Sequence, residues 1–294
     1  MMNKDKFLNF LKFEKRYSAH TVTAYAMEID NFLLFLESED VDFEQADHRV
    51  LRHYLAQMKE KGREATSINR SISSLRSFYK FLNREGLADR NPLTLIHALK
   101  TARKLPVVVE EEKMVSLLRD GVKQEANFEE IRDYLVLELL FGTGIRLAEL
   151  LAIQERDVDT YNRKILIFGK RSKERFVPIH QALDALIKRY LKLKYDQNFE
   201  NNSTSLIVNK EGKSASRYLI YRTVQHYLGQ ITSQKKKSPH VLRHTFATAL
   251  LNNGADLNAI KELLGHAGLA ATQVYTHNSV ERLKSIYKQA HPKA

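Results

Sequence analysis

Ser238-Pro239-His240-Val241-Leu242-Arg243-His244 stands in the last third of this 294-residue chain and marks the start of a helix. Proline is well suited to the first helical position, where its missing N–H removes a donor that has no partner in any case. The spacing i, i+3 sets His240 and Arg243 on one face, while Leu242, Phe246, Ala249 and Leu250 turn toward a core. Two cationic donors near the positive end of a helix can meet one anion. Alone, such a pair reads as an ordinary solvated face; its neighbours in the sequence change that reading. Leu264-Gly265-His266 and Gln273-Val-Tyr275-Thr-His277 follow it, and Gly142-Thr-Gly144-Ile-Arg146-Leu-Ala-Glu-Leu150 and Phe168-Gly-Lys170-Arg-Ser-Lys173 precede it. Arg146, Lys170, His240, Arg243, His266 and Tyr275 together are the side chains needed to exchange phosphodiester bonds without a metal: a tyrosine as nucleophile, and cations to hold the phosphate.

Each of the six answers a chemical demand. A phenol is a poor nucleophile while protonated, its free pKa being about 10, so Tyr275 needs a cationic surround or a base. Arg146, Arg243 and His240 can supply that field. Gly265 ends a helix immediately before His266, which projects from a forced turn. Lys170 sits at the tip of a predicted hairpin, mobile enough to reach a leaving oxygen, and a lysine near other cations has a pKa suited to proton donation. Spacing alone does not separate Lys170 from Arg171 or Lys173. Metal nucleases need clustered carboxylates, whereas these segments are dominated by cations. No Walker-type glycine loop is present, so nucleotide hydrolysis has no visible seat.

Composition supports a polyanionic partner. Lysine and arginine number 47 against 35 acidic residues, for a net charge of +12. Residues 1–47 hold five basic and ten acidic residues, whereas residues 48–104 hold thirteen and four. The second stretch is the candidate phosphate-binding face. The chain has no cysteine, which excludes disulfides, thiol catalysis and cysteine-ligated metals. No apolar run reaches membrane-spanning length and the start lacks a signal-peptide core, so a cytoplasmic protein without a membrane partner is expected.

The length predicts two domains. Helical periodicity runs from Lys4 to Leu36 with a break near Ser18-Ala-His-Thr21, where a hydroxyl can cap a second helix. Further helices are predicted over 48–60 and 66–83. The latter has Ile68, Ile72, Leu75, Phe78 and Leu82 on one side and Asn69, Arg70, Ser73, Arg76 and Lys80 largely on the others, a face suited to DNA. The linker is placed at residues 101–108, a basic stretch with Arg103 and Lys104, between an N-terminal domain (1–100) and a second domain (109–294). Beyond it, helices are predicted over 110–120, 128–141, 147–153, 181–194, 216–230, 240–253, 256–264 and 279–289. Residues 164–168 and 175–179 form a hairpin around Gly169–Glu174, and Gly142-Thr-Gly144 interrupts one helix before Arg146 opens the next. The fold class is mainly α with one small sheet.

These motifs, long and in this order, resemble the tyrosine recombinases of the phage-integrase superfamily, and within it the bacterial Xer type, over nearly the whole chain. Tyr17–Tyr25 and Ser74–Tyr79 resemble the SAM-like core-binding domain; Gly142–Leu150, Gly169–Pro178, Pro239–Thr248 and Leu263–His277 resemble the catalytic motifs, and His291–Ala294 is similar to Xer termini. The resemblance makes Arg146, Lys170, His240, Arg243 and His266 the activating set and Tyr275 the nucleophile. It also selects Lys170 over Lys173.

What the resemblance implies is a site-specific recombinase that needs no cofactor, metal or ATP. Its two domains clamp duplex DNA, with Asn69, Arg70, Arg76, Lys80, Arg103, Lys104, Arg171 and Lys173 as DNA contacts. Four protomers, of one protein or of two related ones, act on two sites through a Holliday junction, each with its C-terminal segment docked on a neighbour. The implied task is resolution of chromosome or plasmid dimers, hence chromosome partition at cell division, in company with a DNA translocase. An integrase of a mobile element is the alternative use of the same residues. Similarity to Xer proteins at both ends, with no arm-binding domain before Lys4, favours the first. A type IB topoisomerase would reseal the same strand as a monomer, and a non-catalytic DNA-binding scaffold would form no covalent adduct.

Overall fold

The computed structural model describes residues 2–101, 107–119, 123–169, 174–201, 203–265 and 285–293. The chain divides into two compact units, Met1–Lys104 and Leu105–Ala294, each with its own apolar core.

The first unit is all helical. Helix α1 (Met2–Asn9) runs into a π-helical turn (Phe10–Glu14), and α2 (Ala19–Ser38) begins where Ser18 Oγ accepts from the Thr21 amide at 3.3 Å. Helix α3 (His48–Glu60) starts on Asp47, whose carboxylate accepts from the amides of Arg49 and Val50 at 2.8 and 3.0 Å. Such a cap is worth about 1 kcal/mol. Helix α4 (Ala65–Arg84) buries the whole predicted stripe of Ile68, Ile72, Leu75, Phe78 and Leu82. Phe7 packs edge-on against Phe78, with ring centroids 5.3 Å apart. The other side of α4 leaves Arg70, Ser73, Arg76 and Lys80 exposed.

Two side chains of that outer face have a further task. Asn69 donates to the Leu99 carbonyl at 2.9 Å and accepts from the Leu99 amide at 2.7 Å, and Arg76 donates to the Ile96 carbonyl at 2.7 Å. They tie down residues 96–99, which follow a 3-10 turn (Pro92–Leu95) and lead into the basic stretch. Arg103 and Lys104 lie outside the described residues.

The second unit is built around α6 (Phe128–Thr143), buried along almost its entire length from Ile131 onward. Its start is a capping box: Asn127 Oδ1 accepts from the Glu130 amide while Glu130 accepts from the Asn127 amide. It packs against α8 (Gln181–Asp196), α9 (Arg217–Ile231) and α10 (Pro239–Asn252), with α5 (Glu111–Arg119), α7 (Leu147–Ala152) and α11 (Leu257–Leu264) completing the layer. The antiparallel sheet has the order β1 (Val158–Asp159), β2 (Lys164–Phe168), β3 (Glu174–Pro178), the last two forming the predicted hairpin. Its tip, residues 170–173, lies outside the described residues.

One boundary differs from the sequence expectation. Helix α6 continues through Gly142 and Thr143, and the break falls at Gly144, whose φ of +62° makes it the left-handed cap. Only the second glycine is a punctuation mark. Behind this turn, a helical segment over 285–290 docks on α6: Tyr287 donates to the Gly142 carbonyl at 2.7 Å, and Lys293 pairs with Glu138. Among the described residues, no helix is long and apolar enough to cross a membrane.

Candidate active site

Gly144 sets the site up. Because the chain reverses there in the left-handed region, Arg146 falls at the N-cap of α7 in extended backbone, one turn from the end of α6. Glu149, three residues on, accepts from the Arg146 amide at 2.8 Å and from its guanidinium Nη1 at 2.7 Å. The arginine is thereby held by its own helix while its side chain stays one-third exposed.

Arg243 comes from the second turn of α10 and points inward, 5% exposed. Nη1 donates to the Gly144 carbonyl at 2.6 Å and Nη2 to the Leu264 carbonyl at 2.8 Å. Arg146 Nη2 reaches the adjoining Gly265 carbonyl at 3.2 Å. Two arginines separated by almost a hundred residues thus converge on the last turn of α11, directly before His266 in the sequence. Burial and the nearby Arg146 lower the Arg243 pKa to about 10, with Glu149 opposing and Arg175 adding to the repulsion. It remains a cation at neutral pH, in a place that favours an incoming anion.

His240 shares the helix but faces outward, its ring stacked on that of His244 at 5.7 Å between centroids. Desolvation, followed by the charges of His244, Arg243, Lys236 and Arg146, lowers its pKa from 6.5. The imidazole is therefore neutral at pH 7 and able to accept a proton. A lowered pKa extends the neutral form toward lower pH, so a step that needs His240 as proton acceptor is expected to lose rate as pH falls through the acid range. Replacing His240 with Gln should slow the reaction and remove that acid loss, as single-turnover rates between pH 5 and 8 would register; an unchanged acid loss would assign it to another group.

Of the six residues singled out in the sequence, Arg146 and Arg243 are thus brought to one end of α11, His240 on α10 lies near enough to feel the charge of both, and Lys170, His266 and Tyr275 lie outside the described residues, as do Arg171 and Lys173. Sequence reasoning missed two participants. Glu149 takes both Arg146 and Arg175, and Arg175 forks onto it with Nη1–Oε1 at 3.1 Å and Nη2–Oε2 at 2.8 Å. Both side chains are 5% exposed. Burial by itself would raise the Glu149 pKa, but the hydrogen bonds and charges of Arg175 and Arg146 outweigh it and the pKa is lowered. A signal for Arg175 did exist: it alternates with Val177 on β3, opposite Ile167 and Ile165, so its strand position points into the core.

The profile of the phage integrase family matches residues 108–282, and that of the phage integrase N-terminal SAM-like domain matches residues 5–86. The chain belongs to the phage integrase family. A tyrosine recombinase XerC from Listeria innocua is 40% identical over 98% of this chain and 97% of its own length, and a tyrosine recombinase XerD from Staphylococcus epidermidis is 35% identical over 99% and 98%. Its type within the family is therefore that of the Xer tyrosine recombinases. The solved structure of a XerH site-specific recombinase bound to a palindromic difH substrate, a post-cleavage complex, shares the fold with a TM-score of 0.73 at 22% identity, covering 96% of this chain and 83% of that one.

Proposed function

We propose that this recombinase cuts and rejoins double-stranded DNA at a specific site through a covalent link to Tyr275. The Tyr275 oxygen attacks a backbone phosphorus, giving up its proton toward the neutral His240. The bond to the 5′ oxygen breaks, leaving a 3′-phosphotyrosyl link and a free 5′-hydroxyl. Lys170 supplies the proton that this leaving oxygen takes up. Arg146 and Arg243 hold the non-bridging oxygens, where negative charge grows in the transition state, and His266 adds a further donor. The phosphodiester energy stays in the new link, so a 5′-hydroxyl from a partner strand can reverse the step without ATP or a cofactor.

The observation that carries this reading is the convergence of Arg146 and Arg243 on one helix end, next in sequence to His266. Full-length similarity to XerC and XerD proteins supports a task in resolving chromosome or plasmid dimers through a Holliday junction. Four protomers, alike or of two related kinds, act together, with a DNA translocase as a further partner. The expected test uses a supercoiled plasmid with two copies of the replication-terminus recombination site of the source genome: crossed-strand intermediates and recombinant circles support the reading. Relaxation without exchange would point to topoisomerase chemistry instead.

Contacts to phosphate are assigned to Arg70 and Lys80 on α4, to Arg103 and Lys104 in the linker at 101–108, and to Arg171 and Lys173 beside Lys170. Asn69 and Arg76 serve the same face by fixing residues 96–99. Each phosphate contact adds about 0.9 to the slope of log K against log salt. The Arg70→Ala, Lys80→Ala double variant is therefore expected to flatten that slope by about 2. An unchanged slope in titrations from 50 to 200 mM salt, roughly the range where counterion release dominates, would remove both from the contact set.

A further inference from the structure

The last carbonyls of a helix have no intrahelical partner and carry its negative partial charge. At the end of α11 three successive carbonyls each receive a guanidinium from a different part of the chain. Leu263 accepts from Arg175 Nε at 3.0 Å, Leu264 from Arg243 at 2.8 Å and Gly265 from Arg146 at 3.2 Å. Arg243 and Arg146 are the two arginines assigned to the phosphate. Arg175 has a different set of partners: Nε is held by the Leu263 carbonyl and both Nη atoms fork onto the buried Glu149 carboxylate, so all three of its nitrogens are engaged within the protein.

We infer that Arg175 is a positioning residue for the strand-transfer reaction, fixing Glu149 and the end of α11 so that Arg146 and Arg243 face the phosphate. This rests on the function proposed above. The charge count gives the reason. With Arg175 present, Glu149 is shared between two guanidiniums, and three cations face one carboxylate. Without it, Glu149 has Arg146 as its ion-pair partner and competes with the phosphate for that side chain. The close fit supports a fixed arrangement: Gly265 has φ +65°, and a Cβ built there would lie 3.0 to 3.3 Å from the Arg175 guanidinium. The guanidinium lies against the bare glycine backbone immediately before His266. Arg175 also sits on β3, the strand that leaves the Lys170 hairpin, so one side chain links the hairpin, the first arginine motif and the helix that leads to the nucleophile.

The alternative is that Arg175 does no more than stabilise the unit. Three readouts separate the two on full-length Arg175→Lys and Arg175→Met proteins: melting temperature, affinity for intact duplex, and the single-turnover rate of adduct formation on a nicked duplex, all well below the melting point. Positioning predicts an affinity within about 2-fold of wild type and an adduct rate lower by about 100-fold in both variants. Lysine keeps the charge but cannot fork onto both carboxylate oxygens and reach the Leu263 carbonyl, so Arg175→Lys should regain stability without regaining rate. Glu149→Gln, combined with Arg175→Lys, should cost no more than either change alone, because both act through one network. If Arg175→Met does not fold, the lysine and glutamine variants carry the same comparison. Folded variants that cleave at the wild-type rate would overturn this inference alone. No adduct from the wild-type protein would overturn the proposed chemistry, and the inference with it.

Discussion

Arg243→Ala is expected to slow covalent adduct formation by about a thousandfold while leaving duplex affinity within a few-fold of wild type. The side chain is buried at the end of α11, where it donates to the Gly144 and Leu264 carbonyls, and its charge is retained despite a pKa lowered to about 10. A cation in so dry a place stabilises charge that develops on the phosphate far better than one in water would. Arg146 and Arg175 also lie near enough to repel it, with Glu149 opposing them, and that excess of positive charge favours an anion. The truncation also leaves two carbonyls without this donor, and a loss of about 1–3 kcal/mol in stability is expected alongside the loss in rate. Single-turnover cleavage and a thermal melt on the same preparation separate the two effects. A variant that melts lower but cleaves at the normal rate would show that Arg243 holds the helix ends together and nothing more.

The second large effect is on folding. Gly144→Ala places a Cβ 2.3 Å from Phe246 Cδ1, 2.7 Å from Phe246 Cε1 and 2.9 Å from Leu264 Cδ2, on a residue whose φ is +62°. Phe246 is fully buried, so the ring has nowhere to move. Overpacking and left-handed strain together are expected to cost about 3 kcal/mol or more. For a unit of this size that is a fall of roughly 6–12 °C in melting temperature. Gly62→Ala is the control: its φ is +75°, but no atom lies within 4 Å of the added methyl, so it carries strain alone. That change should cost about 1 kcal/mol. Similar melting curves for the two variants would mean that the packing around Gly144 yields. Because the Gly144 carbonyl also receives Arg243, the first variant should lose rate as well as stability.

Local signals account for what the sequence disclosed. Ser18 caps the second helix as expected, and the helices expected from residues 48 and 128 do begin there, on the caps Asp47 and Asn127 that the structure adds. The α4 stripe was legible because five apolar side chains repeat at helical spacing and all face one core. The site arginines were legible through their motifs. What stayed hidden depends on partners distant in the chain. Nothing near Asn69 or Arg76 announces that their acceptors are backbone carbonyls 30 and 20 residues on. Arg175 and Glu149 lie 26 residues apart on a strand and a helix, so their pairing exists only once the sheet packs on α7. Strand β1 is two residues long, too short for alternation to register. Gly142 looked like a break because glycine disfavours helix, yet burial against α8 carries the helix through it.

The central claim is that Tyr275 forms the covalent bond, and its most direct test is a suicide substrate. A nicked duplex bearing the replication-terminus site of the source genome would be incubated in EDTA with the wild-type protein and with Tyr275→Phe. The expected result is a denaturant-stable protein–DNA adduct with the wild type alone, and a tryptic peptide carrying the nucleotide on Tyr275. An adduct that persists in Tyr275→Phe, or one mapped to another residue, would contradict the account.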